Sequence, residues 1–103
     1  MSATASSAHT SINNTTTKKT NTFISKPLQD CTLCDVPGVG DMARARLIGA
    51  GVDTAEQLVG HFLVSKRDAQ AMTHWLLQAG VRIQEANKIV EGLQKKVRVT
   101  VAV

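Results

Sequence analysis

The stretch Val36-Pro37-Gly38-Val39-Gly40-Asp41-Met42-Ala43-Arg44-Ala45-Arg46-Leu47-Ile48-Gly49-Ala50-Gly51 decides the fold. A proline followed by two glycines one residue apart interrupts regular structure and reads as a hairpin. Asp41 then opens a helix through Ala50, with Ala43, Leu47 and Ala50 on one side and Gly51 placed to stop it. Asp41 is the expected cap of that helix. Gly38 and Gly40 carry no side chain to obstruct a close partner, so the backbone itself is the binding surface. Amides from Gly38, Val39 and Gly40 through Asp41, Met42 and Ala43 lie at the unpaired start of the helix, where they and the helix dipole attract a phosphate oxygen. Contacts of that kind carry no base information, so the expected binding is sequence-independent and salt-sensitive. Arg44 and Arg46 are about 200° apart around a helix and cannot both face one phosphate. Arg46, one turn beyond Met42 and away from Leu47, is the candidate; Arg44 reads as a solvated charge. Nucleotide-binding folds also use G-x-G, but nothing before Val36 reads as a buried strand and no P-loop lysine follows.

Outward from the hairpin the pattern is helical. Asp30 is placed to cap a short turn through Asp35. Asp53 or Thr54 caps a helix whose Ala55, Leu58, Val59, Phe62 and Leu63 form one apolar stripe. Ser65 and Asp68 have capping spacing and open a helix with Met72, Trp75, Leu76 and Ala79 inward, ended by Gly80. The last helix starts near Ile83 and carries Ala86, Val90, Leu93 and Val97. Val97 to Val103 alternates and is β-branched, which locally reads as strand without an evident partner; frayed helix, edge pairing with another chain and a disordered end all remain open. With only 3% aromatic residues and no tyrosine, the core is aliphatic, and the fold class is all-α: a compact bundle of about five short helices. Between Ser2 and Ser25 the chain is Ser/Thr-rich with almost no aliphatic pattern. It is expected to be a disordered tail over 1–22, followed by the helical domain over 23–97 and a C-terminal tail over 98–103.

The formal charge of +4 is compatible with a polyanionic partner, but ten of twelve basic and all eight acidic residues lie between 26 and 103, so local geometry must carry the argument. Cys31 and Cys34 form one C-x-x-C, and His61 and His74 fall in helical segments without metal-ligand spacing, so no metal is expected. The cysteines read as two small buried or half-buried residues on one turn, and free thiols suit a reducing compartment. Neither histidine has a serine, cysteine or paired carboxylate at catalytic spacing, so no enzyme, cofactor or small-molecule substrate is expected. Trp75 reads as core rather than a base-stacking platform. With no secretory signal and no apolar run of membrane length, a soluble intracellular protein is expected.

Besides the hairpin stretch, Gly51-Val52-Asp53, Leu58-Val59-Gly60-His61-Phe62-Leu63-Val64-Ser65-Lys66-Arg67-Asp68 and Trp75-Leu76 resemble the G-F-D, L-G-Q-F-L-V-L-K-K-D and W-L segments of the barrier-to-autointegration factor family. The resemblance runs without gaps from Pro27 to Gln94. It implies a SAM-like, all-helical homodimer with a helix-hairpin-helix and one double-stranded DNA site per subunit, on opposite faces, so that one dimer bridges two duplexes. It places Gly38, Gly40, Met42, Ala43 and Arg46 at the hairpin contact, and Gln84 and Lys88 at a second contact where the last helix starts. It also implies nuclear and chromatin localisation, with the cytoplasm as a second location, and LEM-domain-type proteins of the nuclear envelope as partners. Three departures stand out. Glu85 replaces a lysine usual in animal members, and an acid beside a phosphate is repulsive. The Ser/Thr tail is longer, and the C-terminal end lacks the family's aromatic and cysteine-rich helix. In animal members, phosphorylation near the N-terminus releases DNA; here Thr15, Thr16, Thr17 and Thr20 flank Lys18 and Lys19, and one phosphate would cancel about two lysines.

Gln57, Gly60 and Val64 lie at i, i+3 and i+7 beside the core stripe, with Gly60 permitting close helix approach, and form the expected dimer surface. Two other readings fit the same pattern. One is an accessory helix-hairpin-helix module of a DNA repair or replication complex, which would stay monomeric; the other is a protein-interaction domain using Gly60 and Val64. Oligomeric state and the salt slope of DNA binding separate them.

Overall fold

The computed structural model describes residues 18–101, in which five α-helices and two short 3-10 turns follow one another without a strand. Helix α1 covers 18–25, α2 Asp41–Gly49, α3 Ala55–Val64, α4 Ala69–Ala79 and α5 Ile83–Val101, and the 3-10 turns are Leu28–Asp30 and Leu33–Asp35. One core joins all of them, with Phe23, Leu47, Leu58, Phe62, Leu76 and Leu93 fully buried. The architecture is the all-α bundle that the sequence pattern implies, in line with the SAM-like fold that the family resemblance implies.

The helix starts show local chemistry at work. Thr54, not Asp53, caps α3: its hydroxyl accepts from the Gln57 amide at 3.1 Å, while the Gln57 side chain accepts from the Asp53 and Thr54 amides. Ala55, Leu58, Val59 and Phe62 are buried as the stripe requires, but Leu63, expected inward, is 44% exposed because the stripe is wider than the core it faces. Asp68 alone caps α4, accepting from the Gln70 and Ala71 amides. Ser65 plays no part in opening it and donates instead to the Phe62 carbonyl. The reason is the intervening turn, where Lys66 and Arg67 both adopt left-handed φ values of 62° and 60° and separate Ser65 from α4. Trp75 packs against the core while remaining half-buried, with the His61 ring beside it at a centroid distance of 4.0 Å. Cys31 is buried and Cys34 exposed, so the two thiols do not share an environment, and burial pushes the Cys31 thiol up.

Both ends of the described chain differ from their local reading. The expected boundary near Thr22 falls inside α1, because Phe23 is fully buried and Thr20 nearly so. Tertiary anchoring overrides a composition poor in helix formers. Residues 1–17, including Thr15, Thr16 and Thr17, lie outside the described residues. At the other end α5 continues through Val101, so the β-branched run is helix that far. Val97 is buried on the same side as Ile89, Val90 and Leu93, and a helix satisfies its own backbone where a strand would need a partner.

What positions the hairpin is its packing along α5. Gly38 has φ +91°, and a Cβ there would stand 2.7 Å from the Glu85 carbonyl oxygen and 2.9 Å from Lys88 Cβ. The Pro37 ring lies equally close to α5, since a Cβ on Gly92 would be 3.0 Å from Pro37 Cδ. Gly38 is thus required twice, by its left-handed backbone and by the helix beneath it. No helix of the described residues is long and apolar enough to cross a membrane.

Candidate nucleic-acid interface

The start of α2 is left open. Its N-cap is Gly40, in extended conformation and without a side chain to accept from the first-turn amides. Asp41 is therefore the first helical residue and not the cap expected from sequence. Its charge still sits in the first turn, where it interacts favourably with the dipole. The amides of this turn are free to face an anion, as in other helix N-termini that hold phosphate.

The packing of the hairpin on α5 brings the separate candidates together. Pro37, Gly38, Val39 and Gly40 form one wall of a cavity of about 310 Å³, and Glu85, Lys88 and Lys19 complete it. Among the described residues, Lys19, Lys88 and Glu85 make no ion pair, so both ammonium groups remain available to an anion. Glu85 opposes them from the same cavity, half-buried beside Gly38. The sequence places Lys19 only in the Ser/Thr-rich segment, beside the threonines that flank it, and not at the hairpin. The available signal was its i, i+4 spacing to Phe23, which places it one turn before a buried anchor.

The other candidates are distributed around this cavity. Met42 is 57% exposed at the start of α2, and the side chain of Ala43 is buried, leaving only its backbone for a partner. Gln84 is exposed next to Glu85 but does not line the cavity. Arg46 points elsewhere: its side chain lies across Gly80 at the end of α4, with Cδ 3.0 Å from where a Cβ would stand, and it lines a different depression with Gly49 and Gln78. A larger cavity, about 740 Å³, lies between α4 and α5 and shares Lys88 with the hairpin cavity. Its remaining lining is mostly neutral amide, hydroxyl and aliphatic, with His74 and with Glu91 opposing Lys88, and the helix start beside it, α4 at Ala69 and Gln70, is already capped by Asp68.

On the outer face of α3, Val64 is 84% exposed and Leu63 44% exposed, and a Cβ on Gly60 would meet nothing within 4 Å. Gln57 belongs to the helix cap, so its side chain is already committed. The apolar face is therefore Gly60, Leu63 and Val64.

The described residues define a small helical bundle built around a helix-hairpin-helix whose glycine turn is laid on the last helix. A sequence profile of the barrier-to-autointegration factor family matches residues 14–99. The mouse barrier-to-autointegration factor is 34% identical over 62 residues, covering 60% of this chain and 70% of the mouse protein. The Drosophila melanogaster protein of the same name is 30% identical over 59% of this chain and 68% of its own length, and barrier-to-autointegration factor 1 of Caenorhabditis elegans 32% identical over 69% and 81%. The chain belongs to the barrier-to-autointegration factor family.

Proposed function

We propose that this protein binds double-stranded DNA through its phosphate backbone, without reading sequence, and bridges duplexes as a homodimer. The observation that carries the proposal is the convergence of the Gly38–Gly40 hairpin, the uncapped start of α2 and the unpaired Lys19 and Lys88 on one cavity. First-turn amides receive one phosphate oxygen, and the two lysines neutralise neighbouring phosphates. Glu85 limits the affinity of this site. Dimerisation through Gly60, Leu63 and Val64 would give one particle two such sites, which is what bridging needs. The proposal extends to chromatin in the nucleus, with a cytoplasmic pool, and to LEM-domain-type partners.

The test is a duplex titration with light scattering on the unaltered chain and on Gly40→Glu. Gly40 is exposed, has an ordinary extended backbone and leaves open space for a side chain, so the variant should fold while placing a carboxylate against the α2 amides. Loss of about tenfold or more in affinity, one charge-assisted contact exchanged for repulsion, is expected. Unchanged binding would move the site elsewhere, and a monomeric unaltered chain would remove bridging.

A further inference from the structure

Away from the hairpin cavity, the most unusual group is Lys96. It is only 3% exposed, a degree of burial that a lysine reaches only when its charge is fully partnered. An ammonium carries three donor hydrogens. Here they meet the carbonyls of Phe23 at 2.7 Å, Ile24 at 3.1 Å and Lys26, with the Phe23 ring centroid 5.2 Å from the nitrogen. These carbonyls are those of the C-terminal end of α1, which the helix leaves unpaired and where its dipole is negative. A residue of α5 thus caps a helix 73 positions earlier in the chain.

Helix α1 needs such a cap. Of its described residues, Lys-Lys-Thr-Asn-Thr-Phe-Ile-Ser, the six that follow the two lysines are poor helix formers. Its Thr22 and Ser25 hydroxyls bond only to its own backbone and tie it to nothing else. Its hold on the domain therefore comes from Phe23, Thr20 and the Lys96 cap. Lys19, one turn before Phe23, reaches the hairpin cavity only while α1 stays in place.

We propose that Lys96 is a positioning residue for the candidate phosphate site: by capping α1 from α5 it holds Lys19 opposite the hairpin. The inference rests on the DNA-binding reading for its consequence, but its mechanical part stands on α1 alone. Lys96→Met keeps the length and apolar stem and removes all three donors, leaving the end of α1 to fray into water. Lys96→Arg keeps a cation at the same carbonyls.

The experiment pairs hydrogen exchange of the α1 amides with duplex titration over a salt series, for Lys96→Met, Lys96→Arg, Lys19→Ala and the Lys19→Ala/Lys96→Met double variant. Faster exchange over 18–25 is expected in Lys96→Met. Its log–log salt slope should shrink by about 0.9, the value of one phosphate no longer neutralised, as in Lys19→Ala. The double variant should lose nothing further, and Lys96→Arg should restore the slope. A merely structural lysine would lower the melting temperature of Lys96→Met while leaving the slope intact, and additive losses in the double variant would equally overturn the coupling to Lys19. Unchanged exchange would overturn the inference whatever the DNA results. Failure of the unaltered chain to bind duplex would overturn the DNA-binding reading alone, since exchange still decides whether Lys96 holds α1. Should Lys96→Met not fold, Lys96→Gln, which retains two donors, carries the same comparisons.

Discussion

Gly38 and Gly60 occupy opposite situations. Gly38 is wedged between hairpin and α5 at a left-handed φ, with backbone and side-chain atoms within 3 Å of where a Cβ would be. Gly60 sits mid-helix with nothing within 4 Å. The single chain explains the first completely and the second not at all, because a glycine inside a helix costs about 1 kcal/mol relative to alanine. A glycine required by the monomer's own packing marks the junction that builds the site. A glycine the monomer does not need, beside exposed Leu63 and Val64, is what the proposed dimer surface would account for.

The comparison breaks most directly at Gly38. Gly38→Ala should lower the unfolding free energy by about 2–3 kcal/mol, from left-handed strain and displacement of α5, measured by denaturant titration. An unchanged midpoint would mean that the hairpin is not laid on α5 as described. At the other glycine the sign reverses: Gly60→Ala should raise stability by about 0.5–1 kcal/mol in the monomer. Gly60→Glu should remain folded and sediment as a monomer, and a persistent dimer would place the interface elsewhere. Within the hairpin cavity, Glu85→Lys should tighten duplex binding and steepen the salt slope by about 0.9, and an unaltered slope would show that the α5 side of the cavity does not reach phosphate.

The smallest effect concerns acid. The Thr32 backbone N–H, donating at 2.7 Å, holds the Asp35 carboxyl below the usual carboxylate range, with Lys26 3.2 Å away helping and partial burial opposing. A depressed folded pKa means stability present above the unfolded value and lost as pH falls through the folded one. Thermal melts below about pH 4 should show this loss at the turn that leads into the hairpin. Asp35→Asn should flatten that acid limb, whereas the Gly60 variants should retain it, which keeps the two regions distinguishable by pH alone.

Much of the fold was legible in the residues. The stripe in α3, the glycine that ends α4 and the hairpin before α2 follow from local periodicity and backbone chemistry. Ser65 and Asp41 show the limit: spacing nominated both as caps, but which residue caps a helix depends on backbone angles, here the left-handed turn at Lys66 and Arg67 and the extended Gly40. Of the candidate site, only part of the geometry is legible in the sequence. Gly38, Val39, Gly40 and Lys88 meet at one cavity, while Arg46 folds over Gly80 instead. Lys19 and Lys96 escape a local reading because what each does depends on contacts made only in the folded chain, with the hairpin for Lys19 and with the end of α1 for Lys96.

The sequence by itself determined that α2, α3, α4 and the start of α5 are helical and where the chain must turn between them, because side-chain periodicity and glycine's backbone freedom act over a few residues. Only the tertiary structure decided that a Ser/Thr-rich segment becomes α1, that a β-branched end continues α5, and that Lys19 faces the hairpin. Those outcomes depend on burying Phe23 and satisfying the Lys96 ammonium with carbonyls far away in the chain, and no local pattern encodes contacts of that separation.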